Sequence, residues 1–160
     1  MKMIIMSLLL LWPAFSLAGE KADAVVVIKS QSKLILTRHG RTISTYHVAL
    51  GGNPKGHKQQ RGDRRTPEGT YVLDYKKVDS AYYRSIHISY PNEADKKRAS
   101  ALGVHPGGSI MIHGQKNGFG HLAPITQRTN WTDGCIAVTN REMDEIWQAI
   151  DIGTPIAIKP

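Results

Sequence analysis

Two stretches of sequence place a reactive side chain next to an apolar run: Ser109-Ile110-Met111-Ile112-His113-Gly114 and Thr132-Asp133-Gly134-Cys135-Ile136-Ala137-Val138. The first predicts a buried strand with His113 at its end, and the second places Cys135 directly before an apolar segment that would hold it rigidly. Cys135 is the one cysteine of the chain, and it follows His113 by 22 positions. The irregular segment between them is long enough to form a flap over a cleft. Together these stretches predict a cleft that contains a thiol and an imidazole.

The neighbours of Cys135 allow two interpretations of its role. A thiol becomes a useful nucleophile at neutral pH when a base lies beside it, and the predicted position of His113 suits that purpose. Gly134 permits close backbone approach, so the N–H groups of this loop can face a developing oxyanion. The alternative is a structural cysteine that packs in the core as a small apolar side chain.

The rest of the chain predicts a mainly β domain with one or two short helices. Alternating or β-branched runs predict strands at residues 24–29, 33–37, 42–50, 70–75, 85–90 and 156–158. A capping pattern at Thr139 and Glu142 opens a helix that runs to Ile150. Residues 92–102 have helical composition and end at a glycine. Two long loops, at residues 53–68 and 115–132, have the length typical of functional segments.

The first 18 residues predict a signal peptide. Lys2 precedes an apolar run of 15 residues, which is shorter than the ~20 that a membrane-spanning helix needs. Small residues at positions 16 and 18 then mark a cleavage site. The sequence therefore predicts an exported chain with a signal peptide at 1–18, a mature domain at 19–160 and no membrane anchor after cleavage. An uncleaved anchor is the alternative.

The formal net charge of +8 suits anionic partners such as cell-wall polymers, and it serves solubility equally well. Trp131, close to the cysteine, is either a core anchor or a wall of the substrate site. The export signal and the absence of a basic run argue against nucleic acid as a partner. One loop is rich in basic residues, which either hold substrate carboxylates or are simply solvated. These residues are Lys55, Lys58, Arg61, Arg64 and Arg65.

Other kinds of active site are excluded by their missing motifs. The sequence has neither a His-Glu-x-x-His pattern nor paired cysteines, so no metal site is predicted. It has no Gly-x-Ser-x-Gly turn and no phosphate-binding glycine loop. The sequence therefore predicts no cofactor.

The motifs taken together resemble the catalytic signature of the YkuD-type L,D-transpeptidases. The signature is carried by Ile112-His113-Gly114, a long loop, and Thr132-Asp133-Gly134-Cys135-Ile136. Residues 62–71 (Gly-Asp-Arg-Arg-Thr-Pro-Glu-Gly-Thr-Tyr) are similar to the Thr-Pro-x-Gly-aromatic element of that family, and residues 105–114 to the stretch that leads to its histidine. With the opening strands and the last helix, the resemblance covers essentially all of residues 19–160.

The resemblance implies a sandwich-like catalytic domain that acts on peptidoglycan stem peptides. Cys135 would form a thioester with the third stem residue, usually meso-diaminopimelate, and His113 would be its general acid and base. The N–H groups of Gly134 and Cys135 would stabilise the oxyanion. A main-chain carbonyl or a small polar residue would orient the histidine. Apart from the resemblance, the charges and positions of the neighbouring residues lead us to expect substrate contacts at Asp133, Gly114, Trp131, Arg64 and Arg65.

Two positions depart from the family pattern. Asp133 stands where many members have a second histidine, and Ala137 stands where many have arginine or asparagine. The Asp-Gly-Cys-Ile-Ala version resembles a branch that includes wall-trimming and lipoprotein-detaching hydrolases. An ionised Asp133 close to the thiol would raise the pKa of Cys135, so this side chain is better suited to orienting substrate or bonding the backbone.

The sequence thus predicts an exported, periplasmic L,D-transpeptidase that passes an acyl group from Cys135 to an amine acceptor. Three alternatives stay open. The same chemistry can end in hydrolysis, as in an L,D-carboxypeptidase or an amidase that frees wall-attached lipoprotein. The chain can instead be a non-catalytic wall-binding module, or an inert exported β domain in which Cys135 is buried.

Overall fold

The fold is known from a computed structural model that describes residues 19–160, so the predicted signal peptide at 1–18 lies outside the described residues. Within this part of the chain, no helix is long and apolar enough to cross a membrane. Residues 19–160 contain eight strands: β1 (Ala24–Ile28), β2 (Lys33–Arg38), β3 (Arg41–His47), β4 (Gly69–Ser80), β5 (Tyr83–Ile88), β6 (Met111–His113), β7 (Ile136–Ala137) and β8 (Pro155–Lys159). They form one mixed sheet in the order β3-β2-β1-β8-β4-β5-β6-β7.

Three α-helices accompany the sheet: α1 (Glu93–Ala101), α2 (Ala123–Thr126) and α3 (Asn140–Ala149). Single 3-10 turns occur at Lys29–Gln31 and Gly120–Leu122. The prediction of a mainly β domain is confirmed, although the short helix α2, inside the loop predicted at 115–132, adds a third helix to the one or two expected. Both longer helices begin with reciprocal capping boxes, formed by Asn92 with Asp95 and by Thr139 with Glu142.

The hydrophobic core is built from apolar side chains, because each strand and helix buries one of its faces. Strands β1 and β2 alternate, so that Val25 and Leu34 are buried while their neighbours are more accessible. In α3, apolar residues recur at helical spacing, and Met143, Ile146 and Ile150 at its end are fully buried. The helix packs against β5, one of the strands that border the site described below.

The two edges of the sheet are brought together by the segment that follows β3. Ala49 exchanges two hydrogen bonds with Ala137 of β7, at 2.9 and 2.8 Å, and Gly51 forms a bridge with Thr132. This pairing extends the strand predicted at 42–50 beyond the end of β3. The sheet therefore closes on itself, and the segment from Thr132 to β7 is held from two sides.

The hairpin of β4 and β5 is longer than the sequence predicted. Strand β4 pairs with β8 over residues 69–72 and with β5 beyond them. Its second half is rich in charged residues, and for that reason the sequence pattern did not predict a strand at residues 76–80. These residues, mostly exposed apart from the buried Ser80, extend the hairpin, and the chain reverses at Ala81 and Tyr82. The extension supplies one wall of the site described next.

A buried lysine holds the loop at residues 53–68 from the protein interior. The ammonium of Lys29 donates to Glu68 at 2.8 Å and to the carbonyl oxygens of Thr66 and Gly56 at 3.0 and 2.7 Å. The Lys29 side chain is only 2% exposed, and such a charge is tolerated only because carboxylate and carbonyl groups surround it. The basic loop therefore has a fixed position beside the segment that carries Cys135.

Candidate active site

The register of β6 and β7 places Cys135 and His113 on the same face of the sheet. Ile112 pairs with Ile136 in a parallel ladder, and both are fully buried in the core. Adjacent side chains along a strand point to opposite faces, so His113, next to Ile112, and Cys135, next to Ile136, project to the side opposite these isoleucines. One side of the sheet thus contributes to the core while the other carries the thiol and the imidazole.

Cys135 and His113 line one cavity of about 490 Å³. The tip of the β4–β5 hairpin forms one wall, and the segment from Trp131 to Asp133 forms another. Trp131, for which both a core position and a substrate wall were considered, lines this cavity, and its ring meets the His113 ring edge-on at 5.8 Å between centroids. The cavity is large enough for part of a peptide.

The His113 ring is oriented by its own neighbour in sequence. Nδ1 lies 2.7 Å from the carbonyl oxygen of Gly114, and a carbonyl only accepts hydrogen bonds, so Nδ1 carries the proton. Nε2 is then the basic nitrogen. Tyr82 packs against the ring with 4.7 Å between centroids, and Trp131, whose ring lies 6.0 Å from that of Tyr82, makes a T-shaped contact with the imidazole. Burial lowers the pKa of His113, and the bond to Gly114 only partly opposes that effect.

The Cys135 thiol is partly buried and donates to the carbonyl oxygen of Ser109 at 3.6 Å. Burial raises the pKa of Cys135, and the negative charge of Asp133 adds to that rise. A hydrogen bond with the backbone of Met111 acts in the opposite direction. The raised thiol pKa and the lowered imidazole pKa both favour a neutral thiol and a neutral imidazole in the resting site.

We expect the alkylation of Cys135 by iodoacetamide to be slow at neutral pH and to accelerate at a pH above the pKa of a free cysteine. The reason is that the thiolate reacts and burial disfavours it. The rate of labelling measured against pH gives the midpoint. Asp133→Asn should lower that midpoint because it removes a negative charge that raises the pKa of the thiol.

Asp151→Asn is the matched control, because Asp151 is an exposed carboxylate beside Lys21, outside the cavity lining. It should leave the midpoint of labelling unchanged. Fast labelling at neutral pH that is lost in His113→Ala would instead indicate a thiolate–imidazolium pair, and would contradict a neutral resting state.

The loop before Cys135 is held by hydrogen bonds to Thr132. The Thr132 hydroxyl accepts from the Gly134 N–H at 3.1 Å and donates to the Cys135 carbonyl at 2.7 Å. Gly134 has a φ of 129°, and a Cβ there would lie 2.6 Å from the carbonyl oxygen of Arg65. Glycine is therefore required at this position. The Gly134 N–H, predicted as an oxyanion donor, is already engaged within the loop.

A second cavity, of about 510 Å³, adjoins the first and is lined by basic residues. Ser109 and Asp133 border both cavities. Arg64 lines the second cavity, and its Nε lies 3.7 Å from Asp133 Oδ1. Arg61 lines it as well. The two cavities form one cleft with the thiol at one end and positive charge at the other.

Not every residue predicted to contact substrate lies in the cleft. The Arg65 side chain turns away, and its Nη1 donates to the His57 carbonyl at 3.5 Å. Gly114 is buried behind the histidine, where a Cβ would lie 2.6 Å from Asn140 Oδ1. Its contribution is the carbonyl that orients His113. Within residues 19–160, no group of three or more His, Cys, Asp or Glu side chains is placed to bind a metal.

Sequence reasoning missed the residues that the β4–β5 hairpin contributes to the cavity. Lys77, Tyr82 and Ser85 all line it. The sequence pattern did not mark these residues, because the polar end of β4 was not predicted to be a strand. The register explains their positions: Lys77 pairs with Ser85, and Ser85 pairs with His113, so these side chains share one face of the sheet.

The comparison with protein families agrees with this geometry. Residues 22–158 match the YkuD family, the L,D-transpeptidase catalytic domain. The chain belongs to the YkuD family. Among curated proteins, "Putative L,D-transpeptidase YafK" of Escherichia coli K12 is 31% identical over 110 residues, which cover 68% of this chain and 37% of YafK.

Solved structures of other proteins share the fold. A variant of Pgp2, the helical cell shape determining protein of Campylobacter jejuni, superposes with a TM-score of 0.68 at 25% identity, covering 88% of this chain and 48% of Pgp2. L,D-transpeptidase 1 of Mycobacterium tuberculosis superposes with a TM-score of 0.53 at 13% identity, over 86% of this chain and 60% of that one. This chain therefore spans about half the length of Pgp2 and less than two thirds of the other relatives.

Proposed function

We propose that this YkuD-family chain is a periplasmic L,D-transpeptidase, exported by a signal peptide at residues 1–18, that acylates Cys135 with a peptidoglycan stem tetrapeptide. The observation that carries the proposal is the placement of Cys135 and His113 in one cavity, with the imidazole held by Gly114 so that Nε2 is basic. The match of residues 22–158 to the family supports the same substrate class.

In the first half-reaction, His113 Nε2 takes the thiol proton as Sγ attacks the carbonyl carbon of the third stem residue. The Cys135 N–H then stabilises the oxyanion, since Thr132 already engages the Gly134 N–H. Collapse of the tetrahedral intermediate breaks the amide bond. The departing amine of the terminal D-amino acid takes the proton from His113, and a thioester stays on Cys135.

In the second half-reaction, the amine of an acceptor stem attacks the thioester carbonyl. His113 accepts the proton that the amine loses, and then returns it to the Cys135 thiolate as the carbon–sulfur bond breaks. The product is a new amide between two stems. Attack by water in place of the amine would release a tripeptide, so both outcomes use the same residues.

The charged cavity next to the thiol would hold the polar ends of the stem peptide. Arg64 is placed to bind a stem carboxylate, and Asp133, between the two cavities, is placed to bind an ammonium group. Trp131 would pack against the apolar part of the stem. Arg65, turned away from the cleft, has no part in this binding.

We expect Arg64→Asn to raise KM for the tetrapeptide about fivefold with little change in kcat, which corresponds to one partly exposed charged contact worth about 1 kcal/mol. Asparagine suits the site because Arg64 has a φ of 56°, a conformation that asparagine adopts readily. Arg141→Asn on α3 is the control, since that side chain is 91% exposed outside the cleft. Equal KM values in both variants would remove Arg64 from the binding site.

The test of the proposed function is to incubate the protein with defined disaccharide-tetrapeptide and to identify products and protein adducts by mass spectrometry. A cross-linked dimer together with a thioester adduct would support transpeptidation. Tripeptide without dimer would favour the L,D-carboxypeptidase. Wall fragments that bind without any adduct or product would favour a non-catalytic binding module, and would overturn the proposal.

A further inference from the structure

A buried hydroxyl in the Cys135 cavity has no protein partner. Within residues 19–160, three buried side-chain polar atoms lack a hydrogen-bond partner: Arg65 Nε, Ser85 Oγ and Trp131 Nε1. Ser85 and Trp131 both line the cavity that holds the thiol. Native proteins leave few buried polar atoms unpaired, because each costs about 1–3 kcal/mol. The hydroxyl of Ser85, a residue only 2% exposed, is therefore placed to bind something that enters the cavity.

Ser85 is the cross-strand neighbour of the predicted base. In the antiparallel ladder of β5 and β6, Ser85 lies opposite His113. The next pair along the ladder is hydrogen-bonded, since the Gly114 N–H donates to the Arg84 carbonyl at 3.3 Å. Ser85 and His113 consequently form a non-hydrogen-bonded pair, the type in which facing side chains approach most closely.

Ser85 is not needed to orient the imidazole. Nδ1 of His113 already donates to the Gly114 carbonyl, while Tyr82 and Trp131 contact the ring. A serine hydroxyl both donates and accepts, so it can bind one side of a small molecule while His113 Nε2 binds the other. A water molecule held in a protein needs two or more such polar partners.

We propose that Ser85 positions the water that hydrolyses the thioester, and so sets the balance between hydrolysis and transfer. The inference rests on the proposed function. A water has no other attachment to the site, whereas an acceptor amine is held in place by the rest of its stem peptide. The leaving amine of the first half-reaction is likewise part of the bound substrate. Ser85 therefore acts in the hydrolytic step in particular.

The step balances without any further reactant. The water oxygen bonds to the thioester carbonyl carbon, one water proton passes to His113 Nε2, and the carbon–sulfur bond breaks. His113 then returns the proton to the Cys135 thiolate, and the tripeptide leaves as a carboxylic acid that ionises in solution. Ser85 keeps its own proton throughout and serves as a positioning residue.

The experiment compares wild type, Ser85→Ala and Ser85→Thr by intact-protein mass spectrometry after a brief exposure to tetrapeptide, the excess of which is then removed because its own amine can act as acceptor. Without an acceptor amine, the thioester of Ser85→Ala should persist about tenfold longer than in wild type, as expected for one lost hydrogen bond. With saturating acceptor, the tripeptide-to-dimer ratio should fall, while the rate of thioester formation stays near that of wild type. Ser85→Thr keeps the hydroxyl and should restore the wild-type lifetime.

Three results would overturn the role of Ser85. An unchanged thioester lifetime in Ser85→Ala is the first, and an equal slowing of thioester formation and hydrolysis, as from a general loss of structure, is the second. A matching defect in Ser85→Thr, with an unchanged thermal unfolding midpoint, is the third. If wild type forms no thioester at all, the proposed function fails first, and the inference fails with it.

Discussion

Cys135→Ala is expected to abolish both the thioester adduct and the turnover of tetrapeptide, a loss of at least about 10⁴-fold, which is the usual scale for removal of a nucleophile. The physical reason is that no other thiol exists in the chain to accept the acyl group. Intact-protein mass spectrometry and product analysis measure the two losses. Binding of the stem peptide should persist, because Arg64 and Trp131 are unchanged.

Cys135→Ser separates loss of chemistry from loss of structure. Its hydroxyl has nearly the size of the thiol but ionises far less readily, so the folded protein should stay inactive on the same substrate. Both variants should unfold close to the wild-type temperature, since the hydrogen bonds of the thiol, to the backbone of Ser109 at 3.6 Å and of Met111, are weak ones to sulfur. Turnover in either variant would show that Cys135 is not the nucleophile.

Much of the fold could be predicted because its signals are local. The helix α3 shows its capping box and its apolar spacing within ten residues, and the structure confirms both. Strands β1 and β2 are β-branched runs separated by a short turn, which needs no distant information to recognise. The apolar run that ends at His113 similarly predicted strand β6, whereas the apolar residues after Cys135 predicted only a buried segment, which forms strand β7 in the structure.

The parts that sequence could not predict depend on distant pairing. The second half of β4 is polar and exposed, so its strand character comes from pairing with β5 and not from burial. That pairing places Ser85 beside His113 across the sheet, although they are 28 positions apart in the sequence. No local pattern marks such a neighbour.

Arg64 and Arg65 also show that a local sequence pattern cannot predict where a side chain lies in the fold. Arg64 and Arg65 are equivalent by composition and charge, and both were predicted to contact substrate. The backbone of Arg64 has a φ of 56°, which directs successive side chains of this loop to different sides. Arg64 therefore faces Asp133 in the cleft, while Arg65 reaches back toward His57. Only the three-dimensional path of the loop distinguishes them.

His113→Ala is expected to slow thioester formation by about 10²- to 10⁴-fold, the usual contribution of a general acid–base. The thiol of Cys135 is protonated at neutral pH because its pKa is raised, so it needs a base at the moment of attack. Added imidazole should restore part of the rate by entering the space that the ring leaves. The rate of D-amino acid release in a single turnover measures both effects.

His87→Gln is the matched control for this variant. His87 lies on the same face of the sheet, where it bonds Asp74 at 2.7 Å and stacks on Tyr75, but it does not line the cavity. Its loss should change the rate by no more than about twofold, as for a substitution outside the site. A comparable defect in both variants would mean that the imidazole of His113 contributes structure and not proton transfer.

The dependence of kcat/KM on pH tests the role of His113 as the base independently. A base must be unprotonated to act, and burial lowers the pKa of His113, so it stays unprotonated to lower pH than a free imidazole. The acid limb of kcat/KM in wild type should therefore have its midpoint below about pH 6.5, the ordinary value for histidine. Activity is lost as the pH falls through that midpoint. In His113→Ala the limb should vanish, and with added imidazole it should return at the pKa of free imidazole, because the rescuing base is no longer held in the buried site.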